Sequence, residues 1–315
     1  MSSTGSVAEL VRGVLAREPR AVARAISAVE DGAETLPELS AGLYAHTGRA
    51  ITIGLTGAPG VGKSTLAAGL VGAARARELA VAVLAVDPTS PYTGGALLGD
   101  RVRMQGHATD PGVFIRSMAT RGHLGGMALA APEAVRILDA AGFDRVVVET
   151  VGVGQAEVDV AAATDTAVVV LAPGMGDAVQ MAKAGILEVA DVFVVNKADR
   201  EGAHEVVREL GQMLHLGAAR DWDPPVLTAS APKSEGIDEL WEAIERHRQH
   251  LGASGALQSK RRDRLIREVQ SLAAERFRAG AAERLLGDPS MVRDLIARRI
   301  DPYRAAAMLA SQAAG

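Results

Sequence analysis

Gly57-Ala58-Pro59-Gly60-Val61-Gly62-Lys63-Ser64 sets a lysine and a hydroxyl behind a glycine-rich turn. The spacing G-x-x-x-x-G-K-[ST] is that of a loop built to cradle phosphates. Glycines let backbone N–H groups close around phosphate oxygens, and a helix starting there adds a favourable dipole. Lys63 would bridge the β- and γ-phosphates as a point charge. Ser64, with Thr65 beside it, would place a hydroxyl on Mg²⁺. The apolar run Ile51 to Thr56 reads as a buried strand leading in, and Thr65 to Leu70 reads as a helix leading out. Strand, turn and helix in that order are the context the pattern requires.

A phosphate loop does not choose the base. Asn196-Lys197-Ala198-Asp199 closes the apolar run Val192 to Val195. An aspartate at that strand end can accept hydrogen bonds from guanine N1–H and the 2-amino group. Adenine offers neither donor, which would leave a costly unpaired carboxylate. Asn196 can hold neighbouring loops together through its amide, and the Lys197 stem can lie along the base plane. Ser230-Ala231, followed by Pro232, sits at the next strand end and fits a second loop against the base. The expected ligands are therefore GTP and GDP.

Three carboxylates could gather near the phosphates: Asp87, Asp100 and Glu149. Mg²⁺ takes hard oxygen ligands, keeps several waters and usually accepts one or two carboxylates. Not all three are then direct ligands, and one could orient the attacking water. Asp100 reads equally as a solvated residue beside Arg101 and Arg103. Lys183 could reach a γ-phosphate if its loop closed, although a solvated surface lysine is the plainer reading. His123 reads as a loop histidine, because no further ligand lies at metal spacing.

These residues need a scaffold that delivers strand ends to one edge. Val81 to Val86, Val113 to Arg116, Arg145 to Thr150, Thr166 to Ala172 and Pro225 to Thr228 supply further strands between helical segments. Continuous apolar runs indicate strands buried on both faces. The expected fold is α/β, a doubly wound and mostly parallel sheet. Ligands bind at the carboxyl ends of such strands, where Asp87 and Glu149 fall. Val7, Leu10, Val11 and Val14, then Val22, Ala25, Ile26 and Val29, recur at helical spacing before it. From about Ser254 the chain turns to charged helices, with Leu265, Val269 and Leu272 in one stripe. That tail suits its own domain or a dimer surface equally. The expected division is a helical arm at 1–47, a nucleotide domain at 48–252 and a helical extension at 253–315.

Composition narrows the class. Of 315 residues 48% are hydrophobic and 23% charged, as in soluble globular proteins. A net charge of −4 gives no basic footprint for nucleic acid. Cysteine is absent, which removes disulfides and thiolate chemistry together. No segment is apolar enough to span a bilayer, and no secretory signal opens the chain. The expected location is cytoplasmic.

Longer stretches carry a family resemblance. Gly57 to Thr65, Asp87 to Gly95, Leu98-Gly99-Asp100-Arg101, Ser117 to Gly122, Glu149 to Gln155 and Asn196 to Asp199 together resemble the methylmalonyl-CoA mutase-associated GTPases of the MeaB/ArgK type. The resemblance extends from the N-terminal helices to Asp301-Pro302-Tyr303. It implies a GTP-hydrolysing chaperone of an adenosylcobalamin-dependent acyl-CoA mutase, methylmalonyl-CoA mutase by default. Hydrolysis would gate cofactor loading and protect or reactivate the mutase. It further implies a homodimer built through the C-terminal helices. Carried over by position, Lys63 and Ser64 hold phosphate and Mg²⁺, and Asp87 and Glu149 form the acidic pair around Mg²⁺ and water. Asp100 matches a switch aspartate, Asp199 the guanine reader, and Ser230-Ala231-Pro232 the last base loop. Asp177 and Lys183 match an additional switch that responds to the partner.

The departures from the family pattern are small. Tyr92 and Ala96 stand where phenylalanine and serine are common, without loss of a charge. Compared with signalling GTPases, Glu149 replaces the usual aspartate of D-x-x-G, and Gln155 lies three residues beyond Gly152. Gln155 therefore cannot be assigned by spacing to orienting water. A kinase of a transport protein would need an acceptor site, and no lid of clustered basic residues marks one. A nickel-delivering GTPase of the same fold would want cysteines or a histidine tract, and neither is present.

Overall fold

Valine-rich runs with no polar alternation can only be buried from both sides, and the computed structural model shows how. It describes residues 6–88, 109–120, 127–150, 156–174, 186–215 and 221–313. Three helices come first: α1 (Val7–Leu15), α2 (Pro19–Glu30) and α3 (Leu36–Tyr44). Strand β1 (Ile51–Thr56) and helix α4 (Lys63–Arg75) follow, then β2 (Val81–Pro88) and β3 (Val113–Thr120). Next are α5 (Met127–Ala140), β4 (Arg145–Thr150), α6 (Ala156–Ala163) and β5 (Thr166–Leu171). A short α7 (Ile186–Val189), β6 (Val192–Val195), α8 (Ala203–His215) and β7 (Val226–Thr228) complete the sheet region. Helix α9 (Ile237–Ser254) returns to the sheet.

All seven strands run parallel in the order β3-β2-β4-β1-β5-β6-β7. The expected doubly wound α/β fold is thus present. On one face Leu66, Leu70 and Val71 of α4 and Leu240, Trp241 and Ile244 of α9 pack on Ile53, Leu55, Val83 and Val147. On the other, Val14, Val22, Ile26, Leu39 and Leu43 of the first three helices join α5 over Leu84, Val86, Val146 and Val148. The N-terminal helices therefore help to cover the second face. Beyond β5, Leu210 of α8 packs with Phe193 and Val195 of β6.

Aspartates hold the amino-terminal edge of the sheet. Asp139 accepts from the Arg49 and Ala50 amides at 3.2 and 2.9 Å, Asp144 from Ala80 at 2.8 Å, and Asp191 from Ala167 at 2.8 Å. Asp165, 1% exposed, accepts from the Thr52 amide and from the guanidiniums of Arg261 and Arg264 at 2.7 and 3.0 Å. Arg261 also donates to the Ala50 carbonyl at 2.7 Å. Each contact gives a strand-end amide or a chain turn a charged partner, the stronger sort of hydrogen bond.

His247 of α9 lies in the same layer. It is 1% exposed, with Nδ1 2.9 Å from the Thr166 hydroxyl and Nε2 3.3 Å from Asp191. Burial lowers its pKa to about 4, with Lys260 and His250 acting in the same direction and Asp191 and Asp165 opposing. The unfolded chain therefore takes up this proton first as pH falls. Stability drops by about 2–3 kcal/mol through this residue between pH 6.5 and 4. Urea unfolding at pH 7.5 and pH 5 measures it. In His247→Asn that part of the pH slope should vanish.

The chain forms two compact units, Met1–Arg264 and Leu265–Gly315, with the division inside the long helix α10 (Ala256–Gly287). The second unit continues with α11 (Pro289–Ile296) and α12 (Pro302–Ala313). Met291, Ala305 and Leu309 form its small core. Asp288 caps α11 by accepting from the Ser290 and Met291 amides at 3.0 and 3.1 Å. Leu265, Val269 and Leu272 are 39%, 64% and 45% exposed, so that stripe is not core. Among the described residues no helix is long and apolar enough to cross a membrane.

Candidate functional site

The phosphate loop springs from the carboxyl end of β1, at the centre of the sheet. Three of its glycines take backbone angles that side chains avoid: Gly57 at φ +139, Gly60 at +77 and Gly62 at +99. Gly57 also needs its missing Cβ, since a Cβ there would lie 2.2 Å from the Val170 carbonyl of β5. Gly62 is the N-cap of α4, so Lys63, Ser64 and Thr65 form its first turn. The free amides of that turn face whatever fills the loop. Lys63 is 6% exposed, and its ammonium donates to the carbonyls of Gly57 and, at 3.0 Å, Ala58. Val61 is buried beneath the loop, whereas Pro59 and Gly60 are exposed.

The loops after β6 and β7 are tied directly to it. Asn196 closes β6 and is 1% exposed. Its amide nitrogen donates to the Val61 carbonyl at 2.8 Å, and its amide oxygen accepts from the Ala231 N–H at 3.2 Å. One side chain thus bridges the phosphate loop and the loop after β7. Lys197, in a left-handed conformation at φ +57, donates from its ammonium to the Gly60 carbonyl at 2.6 Å. Asp199 is exposed and accepts from the Ser230 hydroxyl at 3.1 Å. Its own backbone N–H and that hydroxyl hold its carboxyl below the usual range. Ser230 and Ala231 are buried and Pro232 is exposed. A carboxylate kept ionised and open to solvent suits a base with two adjacent donors.

The bridge makes Gly62 exacting. A Cβ there would stand 2.3 Å from the Asn196 amide nitrogen, on a backbone already in the left-handed region. Gly62→Ala is expected to displace Asn196, break its bond to Val61 and weaken nucleotide binding at least about tenfold. Calorimetric titration with GDP checks this. Unchanged affinity would show that the bridge does not matter for binding.

The acidic residues divide. Glu149 is 2% exposed near the end of β4, in register with Leu55 of β1. Val147, two residues earlier, packs on the α4 face, so the strand's alternation turns Glu149 toward α4 and its first turn. Asp87 lies just before the end of β2, one step beyond the Val86–Thr150 pairing, at the same edge. Only its backbone is described. Asp100, Gln155, Asp177 and Lys183 lie outside the described residues. The structure therefore brings together Gly57 to Thr65, Glu149, Asn196, Lys197, Asp199 and Ser230 to Pro232 at one edge. Among the described residues, no cluster of three or more acidic or histidine side chains could hold a metal. Mg²⁺ fits this edge in the manner of a nucleotide-bound ion. Ser64 offers a hydroxyl at the helix start and Glu149 a buried carboxylate, both hard oxygen donors.

What sequence reasoning misses is the wiring. The links from Asn196 to Val61 and from Lys197 to Gly60 each span well over a hundred residues. Spacing suggests that Asn196 joins loops, but carries no signal for which carbonyl it reaches.

Comparisons with known proteins point to one family. The family model described as Methylmalonyl Co-A mutase-associated GTPase MeaB matches residues 22–284. A protein of Pyrococcus abyssi named as a GTPase is 48% identical over 314 residues, covering 98% of this chain and 97% of that one. GTPase ArgK of Escherichia coli is 40% identical over 276 residues, covering 84% and 83%. The crystal structure of a LAO/AO transport system kinase superposes with a TM-score of 0.72 at 26% identity, over the whole of both chains.

Proposed function

The chain belongs to the methylmalonyl-CoA mutase-associated GTPase family, and we propose that it hydrolyses GTP to govern an adenosylcobalamin-dependent acyl-CoA mutase. Hydrolysis would gate loading of the mutase's cofactor and protect or reactivate it, with methylmalonyl-CoA mutase the default partner. The observation that carries the nucleotide half is the Asn196 bridge, which locks the phosphate loop to the loops that would flank a guanine. The partner half rests on membership of the family.

Roles follow from placement. The amides of Gly60 to Thr65 and the Lys63 ammonium take the phosphates. Lys63 can exchange its loop carbonyls for phosphate oxygens without crossing the site. Asp199 reads the base edge, Lys197 lies along the base, and Ser230, Ala231 and Pro232 close over it. Ser64 and Glu149 would hold Mg²⁺ directly or through water, with Asp87 beside them. The ion supplies charge neutralisation for phosphoryl transfer. Asp100, Gln155, Asp177 and Lys183 are proposed as the partner-responsive residues, giving slow hydrolysis alone and faster hydrolysis with the mutase.

We also propose a homodimer through the C-terminal helices, within the division into arm (1–47), nucleotide domain (48–252) and extension (253–315). The support is apolar exposure on that unit: Val269 at 64%, Ile296 at 78% and Leu286 at 81%. The proposed location is cytoplasmic.

Competition binding tests the nucleotide half. GDP should bind at least a hundredfold more tightly than ADP, and Glu149→Gln should keep GDP binding while losing GTP turnover. Equal affinity for GDP and ADP would overturn the assignment of the base. A second reading, phosphotransfer to a transport protein, is favoured by the superposition on a protein named as a transport system kinase. Label from γ-labelled GTP appearing on a protein, rather than as free phosphate, would select it.

A further inference from the structure

Two threonine hydroxyls stand out at the working edge of the sheet. Thr56 is the last residue of β1, directly before Gly57, and Thr150 is the last of β4, directly after Glu149. They are 0% and 2% exposed. Neither Oγ1 has a hydrogen-bond partner among the described residues. A buried hydroxyl left unpaired costs about 1–3 kcal/mol, so a pair of them in the middle of a sheet calls for a cause.

They are neighbours on one face. The pairing of Leu55 with Glu149 makes Thr56 and Thr150 the next step of the same register. A Cβ on Gly54 would meet Val160 of α6 and Thr164 just after it, so Gly54, and Thr56 two residues on, face α6. Val148 packs in the same cluster as Val160, which turns Thr150 the same way. Adjacent parallel strands lie about 4.8 Å apart. A water with bonds of about 2.8 Å to each hydroxyl spans that gap. Buried waters need two to four polar partners, and this pair meets the minimum.

We propose that Thr56 and Thr150 hold one buried water that couples the root of the phosphate loop to the strand carrying Glu149. Glu149 points to the opposite face from Thr150, so fixing Thr150 sets the direction of the Glu149 carboxylate. The threonines are positioning residues, acting through Glu149 and Gly57. This role rests on the GTPase reading above, whereas the water itself does not.

Valine and serine variants test it. Thr56→Val and Thr150→Val keep the shape and remove the hydroxyl, while the serine variants keep the hydroxyl. On the free protein each valine should lower Tm by about 2–4 °C. The double valine variant should cost no more than the larger single one, because both remove the same water. For GTP turnover we expect kcat to fall about tenfold in the valine variants, with GDP affinity unchanged within about twofold. The serine variants should recover the parent's kcat. A crystal structure of the parent should show a water within hydrogen-bonding distance of both oxygens. Valine variants as stable as the parent or more so, with unchanged kcat, would overturn the proposal, since removing truly unpaired hydroxyls stabilises. Equal losses in valine and serine variants would overturn it too, by assigning the effect to packing. Failure of the parent to turn over GTP would sink the function above, yet the Tm cycle would still decide on the water.

Discussion

Asp199→Asn is expected to lower affinity for GDP by about 10²–10⁴-fold, because two charge-assisted hydrogen bonds to the base are lost or inverted. The site is otherwise untouched by this change. Asp199 is exposed and touches the rest of the protein through the Ser230 hydroxyl, which an asparagine oxygen can still accept. Asn196 keeps both of its bridges, so the phosphate loop and the loop after β7 stay joined. The loss should therefore fall on the base alone. An asparagine amide can donate to a 2-oxo group, and affinity for xanthosine diphosphate should rise as affinity for GDP falls. Titration of parent and variant with both nucleotides measures the exchange. A variant weakened equally toward both would show that Asp199 acts on the fold of the loop and does not read the base.

The second large effect lies at the opposite edge. Asp165→Ala is expected to cost about 3 kcal/mol, the lower end for breaking a buried charge pair. The lower end applies because the Arg261 and Arg264 side chains retain 19% and 17% exposure and can be partly hydrated. Burial pushes the Asp165 carboxyl up, but the Arg261 hydrogen bonds and the two guanidinium charges outweigh it, so the group titrates below the usual range. Its contribution is then complete above about pH 4 and fades as pH falls through the folded pKa. Urea unfolding of parent and variant at pH 7.5 measures the cost. A difference below about 1 kcal/mol would contradict the account. The effect should reach the site, since Asp165 leads into β5, and Val170 of β5 backs Gly57.

Asp199 and Asp165 also mark the two sides of what a sequence discloses. The phosphate loop, the residues at the end of β6 and the apolar strands are local patterns, each legible from neighbours in the chain. The parallel sheet follows from runs such as Arg145 to Thr150, which no half-exposed strand would carry. Helix α3 is hidden within a general helical arm, because Leu39 and Leu43 reveal their packing only against α5 and the sheet. Asp139, Asp165 and Asp191 look in sequence like ordinary surface charges. Their partners are strand-end amides and arginines brought from far along the chain, and spacing carries no trace of them. His247 escapes notice for the same reason. The carboxylates proposed for Mg²⁺ are legible as types at strand ends. Which of them would face the ion depends on side-chain direction, and that comes only with the face assignment of Glu149.

Single-turnover GTP hydrolysis by the pure protein, with and without methylmalonyl-CoA mutase and with ATP in parallel, decides whether hydrolysis serves the mutase. GTP alone should turn over slowly, the mutase should accelerate it, and ATP should show no comparable effect. Equal rates with and without the mutase, across methylmalonyl-CoA and related acyl-CoA mutases, would contradict the proposed role.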